Sequence, residues 1–279
     1  MRIATFNIWN SPLKWSQGRI AIVDGINHLS ADIILLQEAP IEAEPGVLTV
    51  DFLREETEFA HVVHLTEPLE PEDREWPEGL VTPSRFPMSQ VKANWEVTGN
   101  PANNWAICVV SGVGDTRVNA TNVHLDWQSE ERRQIETVLI LEELIEPANY
   151  EIDIIADDFN DDSAVVNFLG GLSDIDGKTT AWRELVAEAY AANSQPAPPI
   201  IDPESNPRWE FVKEKEPARR FDRIYLRSNS GESGTVDSVQ AGIFGKEPNN
   251  RFGIVPSDHY GVYADTGSSN LVPSLQPSR

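Results

Sequence analysis

Short apolar runs of the kind that form β-strands recur along most of the chain. Some alternate between apolar and polar residues, which is typical of a strand with one buried face, and others are continuously apolar, which is typical of a fully buried strand. The runs occupy residues 3–8, 32–36, 105–110, 118–123, 152–156 and 221–226. Strands therefore account for much of the predicted structure.

Two stretches between these strands have helical periodicity. Residues 17–29 form the first, with Ile22, Ile26 and Leu29 in register. Residues 128–146 form the second, which Pro147 ends. Its predicted buried face carries Ile135, Val138, Leu139 and Ile145. This order fits an α/β fold with two mixed β-sheets flanked by helices better than a strictly alternating parallel barrel.

Three stretches follow neither pattern. The proline cluster in residues 196–207 predicts a long irregular loop, because proline continues neither a helix nor a central strand. The acidic residues 66–79 predict a second surface excursion. Residues 266–279 lack apolar periodicity, so a disordered tail is expected there.

The composition narrows the possible functions. The chain has 279 residues with 22 Lys and Arg against 45 Asp and Glu, so its formal charge is 22 − 45 = −23. This excludes a general nucleic-acid coating protein, because non-specific affinity for phosphate backbones comes from Lys and Arg. Hydrophobic residues make up 40% of the chain, enough for a sizeable core. No run approaches the roughly 18 apolar residues of a membrane-spanning helix.

The cysteine count and the N-terminus bear on cofactors and location. Cys108 is the only cysteine, so neither an intrachain disulfide nor a cysteine-rich zinc site can form. Any metal ion must therefore bind to oxygen and imidazole ligands. No secretory signal precedes the first strand, which favours a cytoplasmic location, although a trimmed secreted chain would look the same. We expect a monomer.

Polar side chains that suit a metal site occur where apolar strands end. Asn7 closes the first strand, Glu38 ends the run DIILLQE, and Asp158 and Asn160 follow EIDIIA, while Asp222 lies within RRFDRIYL. A carboxylate at the end of an apolar strand is costly to remove from water unless it is paired or bound to a cation. The spacing of two residues puts Asp158 and Asn160 on one face of their strand. One edge of the fold is therefore predicted to be chemically active.

Seven motifs, taken in order, resemble the endonuclease/exonuclease/phosphatase superfamily, which includes deoxyribonucleases, sphingomyelinases, inositol-polyphosphate phosphatases and tyrosyl-DNA phosphodiesterase. They are ATFNIWN, DIILLQEA, EGLVTPSRFP, NVHLDW, IIADDFND, RRFDRIYL and VPSDHYG, and they span residues 4–261. The resemblance implies a four-layer α/β sandwich, in which two packed mixed β-sheets are flanked by helices. It also implies a single catalytic domain of residues 1–265, followed by the tail 266–279.

The resemblance also implies a metal centre. Glu38 matches the main divalent-metal ligand of the family, and Asn7 and Asp258 match its neighbours. Oxygen ligands of this kind suit Mg²⁺ or Mn²⁺, which keep several waters and bind substrate phosphate directly. The expected cofactor is therefore Mg²⁺ or Mn²⁺.

Three further groups match catalytic positions of the family. His259 matches the histidine at the scissile phosphate, and Asp222 matches the carboxylate that holds its imidazole. Asp158 and Asn160 match the pair that orients or deprotonates the attacking water. His124 and Glu78 resemble a second histidine–carboxylate pair, seen in the deoxyribonuclease branch, that protonates the leaving oxygen. Which pair is the acid and which is the base stays open.

Two positions depart from the family pattern. The family usually has glycine where this chain has Asp157, so that its GDFN becomes DDFN, and Thr82-Pro83 stands where the family tends to be apolar. Near the metal, Asp157 would repel the phosphate. Strand alternation instead predicts that Asp157 points to the opposite face from Asp158 and is solvated.

The implied function is hydrolysis of a phosphodiester or phosphomonoester by in-line attack of a water that a divalent metal activates. Two alternatives stay open: a nuclease or DNA-end phosphodiesterase of the same superfamily, and an attenuated member that binds a phosphorylated ligand. RRFDRIYL and VPSDHYG are most similar to the tyrosyl-DNA phosphodiesterase branch, whereas the charge of −23 argues against a long duplex-binding groove. The expected partner is a small phosphoester or a nucleic-acid end.

Two further features each have two interpretations. The basic stretch 205–227 is either a solvated face or a phosphate contact. Trp9, Trp127 and Trp209 lie beside motifs, and they either fill gaps in the core or stack on a base or an apolar substrate group.

Overall fold

The computed structural model describes residues 1–11, 13–41, 49–66, 77–94, 105–113, 116–145, 150–161, 182–211, 215, 217–229 and 237–267. Most of the predicted surface excursion at 66–79, and residues 268–279 of the predicted tail, lie outside this part of the chain. Within it, two six-stranded β-sheets and four α-helices are present. None of these helices combines the length and hydrophobicity that crossing a membrane requires.

The strands are β1 (Arg2–Asn7), β2 (Ile33–Pro40), β3 (His61–Thr66), β4 (Glu78–Ser84), β5 (Met88–Asn94), β6 (Trp105–Val113), β7 (Thr116–His124), β8 (Ile152–Asp158), β9 (Arg183–Glu184), β10 (Asp222–Ser228), β11 (Asp237–Phe244) and β12 (Gly261–Gly267). The first sheet has the order β11-β12-β1-β2-β4-β3, and the second has the order β5-β6-β7-β8-β10-β9. Each contains one parallel pair, β1 with β2 and β7 with β8, and is otherwise antiparallel. Both sheets are therefore mixed, as predicted. β12 runs to Gly267, so the predicted tail begins inside a strand.

The helices are α1 (Trp15–Leu29), α2 (Thr49–Glu56), α3 (Glu130–Ile140) and α4 (Leu185–Ala192). A π-helical turn, Leu141–Ile145, continues α3, and a short 3₁₀ helix spans Pro207–Phe211. Ser129 caps the start of α3 with a side chain that accepts the backbone N–H of Arg132. The two helices predicted from periodicity are thus confirmed with shifted ends.

Alternation along the strands divides the core into layers. Ile3 of β1 packs with Ile154 of β8 in the cluster that fills the space between the sheets. Phe6 of β1 packs instead with residues of α1 and α2 on the outer face of the first sheet. Ile155 of β8 packs beneath α3 and its π-helical extension on the outer face of the second sheet, in a cluster that includes Leu144. The result is the predicted four-layer α/β sandwich.

The buried face of α3 differs from the prediction. Ile135, placed on that face by periodicity, is 41% exposed, whereas Glu136 is buried. The helix is turned so that Thr137, Ile140 and the following Leu141 face the sheet. The prediction was wrong at Ile135 because an acidic residue occupies a core-facing position, which a pattern of apolar residues does not reveal.

A buried polar network crosses between the sheets below the polar strand ends. Gln37 on β2 donates its Nε2 to Oδ1 of Asn122 on β7, at 2.8 Å. Asn122 in turn donates its Nδ2 to the carbonyl oxygens of Leu36 and Val81, at 3.1 and 3.3 Å. Because these buried groups are satisfied only at one mutual position of the sheets, the network fixes how the two sheets align.

Gly79 lies where strands β2, β3 and β4 are closest together. It pairs with Ala39 on one side and Thr66 on the other. A Cβ atom at this position would collide with the side chain of Ile41 and the backbone carbonyl of Leu65. Glycine is required here by space and not by its backbone angles.

Gly79→Ala should therefore lower the free energy of unfolding by at least about 2 kcal/mol, because a rigid backbone carbonyl cannot move aside. The matched control is Gly112→Ala, another strand glycine, where an added Cβ would meet nothing within 4 Å. That change should alter stability by at most about 1 kcal/mol. Urea unfolding of both variants measures the difference, and equal stabilities would contradict the packing argument.

Candidate active site

The predicted polar residues meet at one edge of the sandwich because of strand register. His124 and Asp158 are direct partners at the ends of the parallel strands β7 and β8. Asp222, at the start of the antiparallel strand β10, pairs with Asp158 from the other side. Side chains of directly paired residues point to the same face, so all three converge on the side that faces the first sheet.

Asn7 brings the first sheet to this convergence. Its Nδ2 donates to Oε1 of Glu38 at 2.8 Å and to Oδ2 of Asp158 at 3.1 Å. Its Oδ1 accepts the backbone N–H of Trp9 at 3.0 Å, which fixes the orientation of the amide. Asn7 thus presents N–H groups to both carboxylates and acts as a positioning donor in this arrangement. A direct bond from Asn7 to a metal ion stays a prediction.

Glu38 occupies a bulge at the end of β2. The register between β2 and β4 shifts between Leu36 and Ala39, and Glu38 has a φ of 51°. A β-bulge re-aims a side chain, and a left-handed conformation in a residue other than glycine costs about 1–3 kcal/mol and is concentrated at functional sites. Oε2 of Glu38 accepts the backbone N–H of Asn10 at 3.3 Å.

His259 and Asp222 form the predicted pair. His259 Nδ1 lies 2.9 Å from Asp222 Oδ2, and both residues are buried. Burial lowers the pKa of His259, but the carboxylates of Asp222 and Asp158 outweigh it and raise the pKa well above its ordinary value. Ser257 fixes the backbone of His259 by accepting its N–H at 3.2 Å. Nε2 is then the ring nitrogen left for a substrate.

Asp158 lies between two histidines. Its Oδ2 is 3.8 Å from both His124 Nε2 and His259 Nδ1. Its Oδ1 accepts the backbone N–H of Asn160 at 3.0 Å, and Asn160 takes a φ of 49°. The Asn160 side chain donates to the carbonyl oxygen of Leu125 at 3.0 Å. The DxN pair is therefore held against the end of β7.

The structure gives the positions of the second predicted pair, His124 and Glu78, but a contact between the two side chains stays a prediction. Glu78 is buried at the start of β4, in register with Pro40 of β2. His124 Nε2 lies 4.0 Å from Glu38 Oε1, in addition to its contact with Asp158. His124 is thus placed beside the carboxylates of the predicted metal centre.

The donor set at this edge fits a hard divalent cation. Burial raises the pKa of Asp258 to about 6; the positive charge of His259 opposes this rise and the negative charge of Glu38 adds to it, so the two carboxylates are close enough to repel. Asp158, Asp222 and His259 also place one ligand atom each within 4.8 Å of one another. Clustered carboxylates repel unless a cation is present, and Mg²⁺ or Mn²⁺ prefers oxygen ligands of this kind.

Sequence reasoning missed a clamp on the loop that carries Asp258. Asn206 Nδ2 donates to the carbonyl oxygens of Ser257 and Asp258, at 2.9 and 3.0 Å, and Trp209 Nε1 donates to Asp258 O at 2.9 Å. The buried guanidinium of Arg208 donates to the carbonyl oxygen of Val255 at 2.7 Å. A buried arginine held by carbonyl oxygens leaves no trace in the sequence beyond its positive charge.

Four arginines of the basic stretch 205–227 are buried or half-buried and so do not form a solvated face, whereas Lys215 is exposed. Arg208 and Arg223 are buried. Arg220 pairs with Glu184 at 2.6 Å, and Arg227 pairs with Asp153, which is buried, at 3.0 Å. These arginines join structural elements to one another, which the excess of positive charge in the sequence does not show.

Comparison with known proteins addresses the fold. No family model and no curated protein matches the chain. Truncated TDP2 from Caenorhabditis elegans has a TM-score of 0.69 at 16% identity, covering 96% of this chain and 97% of that chain. TDP2 from D. rerio complexed with a single-strand DNA product has a TM-score of 0.69 at 17% identity, covering 96% and 99%.

A third structure carries the family description itself. The endonuclease/exonuclease/phosphatase family protein from Leptotrichia buccalis C-1013-b has a TM-score of 0.66 at 14% identity, covering 96% of this chain and 100% of that chain. The chain has the endonuclease/exonuclease/phosphatase fold. At such identities the likeness establishes the fold alone, and residue roles depend on the geometry of this chain.

Asp157 on β8 directly precedes the site residue Asp158. It lies on the face opposite Asp158, as alternation predicts, but it is fully buried, so the prediction that it is solvated was wrong. Neither carboxylate oxygen has a hydrogen bond within the described residues. Burial, followed by the charges of Asp158 and Asp222, raises its pKa well above the ordinary value.

Glu136 on α3 is a second acid buried on this outer face. Its Oε2 accepts the backbone N–H of Asp126 at 2.9 Å, and its charge contributes to the raised pKa of Asp157. Burial raises the pKa of Glu136 itself from 4.5 to about 8. The space behind the site thus holds two carboxyl groups that favour the protonated form.

Glu136→Gln should make stability less dependent on pH. The folded chain keeps a proton on Glu136 up to about pH 8, whereas the unfolded chain loses it near pH 4.5, so stability falls as the pH rises through this interval. Glutamine accepts the same hydrogen bond without ionising. Thermal unfolding between about pH 5 and pH 8 should give a shallower decline for the variant.

The control is Glu131→Gln, at an exposed position on the same helix, which should decline like the wild type. Parallel declines for Glu136→Gln and the wild type would contradict the burial argument.

Proposed function

We propose that the chain is a Mg²⁺- or Mn²⁺-dependent phosphoesterase that hydrolyses a phosphodiester or phosphomonoester by in-line attack of water. The observation that carries this proposal is a buried carboxylate, Asp158, with a histidine 3.8 Å away on either side and a hydrogen-bonded link through Asn7 to the half-buried Glu38. This arrangement offers acid–base groups and cation ligands around one space. The likeness in fold to endonuclease/exonuclease/phosphatase proteins supports it.

Glu38 and Asp258 would hold the cation, with Asn7 keeping Glu38 in place. The bound cation would neutralise charge on the phosphate and favour ionisation of water. Asn206 and Trp209 hold the backbone carbonyl of Asp258 by hydrogen bonds, so the backbone of this ligand would already be in place before a cation binds. A metal ligand that is already in position costs little free energy to order when the cation binds.

The remaining residues would handle protons and orientation. His259 is kept protonated by Asp222 and Asp158, so its Nε2–H suits a hydrogen bond to a phosphoryl oxygen. Asp158 and Asn160 would orient the attacking water. His124, beside Asp158, is the candidate for the proton transfer to the leaving oxygen.

A nuclease or DNA-end phosphodiesterase is the second candidate within the enzyme class. The fold is similar to that of a TDP2 whose structure holds a single-strand DNA product. The formal charge of −23 favours short or single-stranded ends over long duplexes. The attenuated binding alternative was based on Asp157, and that side chain lies on the face of β8 away from Asp158, so it would not block the phosphate.

Glu38→Gln should lower kcat/KM by at least about a thousandfold and weaken Mn²⁺ binding, because it removes the charge of the principal ligand. The assay is hydrolysis of bis(p-nitrophenyl) phosphate with Mn²⁺ and with EDTA, and calorimetry measures Mn²⁺ affinity. Glu131→Gln, on the exposed side of α3, is the charge-matched control. Wild-type turnover by Glu38→Gln at saturating Mn²⁺ would reject the assignment.

His259→Ala and Asp222→Ala should each lower kcat/KM by several orders of magnitude, and the double variant by little more. The reason is that a hydrogen bond of 2.9 Å couples the two residues, so removing either one removes the pair's function. Rates for both single variants and the double variant test this. Losses that add on a logarithmic scale would show that the residues act independently.

A further inference from the structure

Trp127 is a large exposed aromatic side chain that follows the site residue His124 by three positions. Its side chain is 64% exposed. The other tryptophans whose side chains the structure describes, Trp9, Trp15, Trp182 and Trp209, are buried or half-buried. The core-filling interpretation therefore fails for Trp127, whose ring is open to contact with a ligand.

The chain that leads to Trp127 is part of the site. Trp127 follows His124 by three residues, which an extended chain covers in at most about 11 Å. Between them, Leu125 donates its backbone N–H to Asp158 O at 3.4 Å and accepts the Asn160 side chain at 3.0 Å. Trp127 thus lies within about 11 Å along the chain of His124, one of the residues proposed to act on the phosphate.

The backbone on either side of Trp127 is held in place. The carboxylate of Asp126 is 1% exposed, and its Oδ1 accepts the N–H groups of Gln128 and Ser129 at 2.8 and 2.7 Å. The N–H of Asp126 donates to the buried Glu136. An exposed aromatic ring on a fixed backbone loses little conformational entropy when a ligand packs on it.

The surroundings of Trp127 favour a flat ring as the group that packs on its indole. Gln128, Glu130 and Glu131 are exposed polar neighbours. An acyl chain or a membrane surface needs a contiguous apolar patch, whereas a single indole face is enough for a planar ring. We propose that Trp127 stacks on a nucleobase that the substrate carries beside the scissile phosphate, so that the substrate is a nucleotide phosphodiester. This inference rests on the proposed phosphoesterase activity.

Two esters that differ in the base alone test the proposal. One is the p-nitrophenyl ester of thymidine 5′-monophosphate, and the other is the same ester with hydrogen in place of thymine on the deoxyribose. The measured quantity is the ratio of kcat/KM for the first ester to that for the second. Trp127→Ala should lower this ratio about tenfold, because stacking of one base contributes about 1–3 kcal/mol. Trp127→Phe should restore most of it.

The control is Ile135→Ala, which removes an exposed apolar side chain on the nearby helix α3 and should keep the wild-type ratio. A ratio within twofold of wild type in Trp127→Ala would overturn the proposal. So would an equal loss on both esters, which would assign Trp127 to loop structure.

A binding measurement separates failure of the proposed activity from failure of the stacking proposal. If the wild type hydrolyses neither ester with Mn²⁺, the phosphoesterase proposal fails while stacking is still measurable. Thymidine 5′-monophosphate should then quench the tryptophan fluorescence of the wild type, and Trp127→Phe should abolish the quenching. Equal quenching in both proteins, or none in the wild type, would overturn the role of Trp127.

Discussion

The side-chain amide of Asn7 is the interaction on which the site depends. It reaches from the first sheet to Glu38 on its own sheet and to Asp158 on the second, so it joins the two halves of the sandwich at their polar edge. The backbone N–H of Asn7 also interacts with the carboxylate of Asp222. Because the amide is oriented by the N–H of Trp9, these contacts fix the distance between the predicted metal ligand and the DxN pair.

The two faces of β8 give neighbouring carboxyl groups different hydrogen-bonding surroundings. Asp158 accepts hydrogen bonds from Asn7 and Asn160 and has a histidine on either side. Asp157 is equally buried but accepts no hydrogen bond within the described residues, so burial raises its pKa and favours the protonated form. Hydrogen-bond donors, and not burial, therefore distinguish the two residues.

The sequence predicted the architecture and the edge at which the polar residues meet, because strand alternation and motif order are local signals. It did not predict features that depend on contacts between elements far apart in the sequence. The exposure of Ile135 and the burial of Glu136 depend on how α3 is turned over the second sheet. The clamp on Asp258 joins residues about fifty positions apart, so no pattern along the chain reveals it.

Two groups of departures from local rules have different physical meanings. Glu38 and Asn160 both take left-handed backbone conformations, and both face the site. The packing of the surrounding sheets offsets the strain of these conformations. The left-handed backbone directs each side chain into the site, where a regular strand end would direct it elsewhere. Asp157 and Glu136 break the rule that buried acids are paired, but they lie behind the strand. Because these two acids lie on the outer face of the sheet, they do not reach a substrate. Their burial affects the stability of the fold, and Glu136 also holds the loop at Asp126 by accepting its backbone N–H.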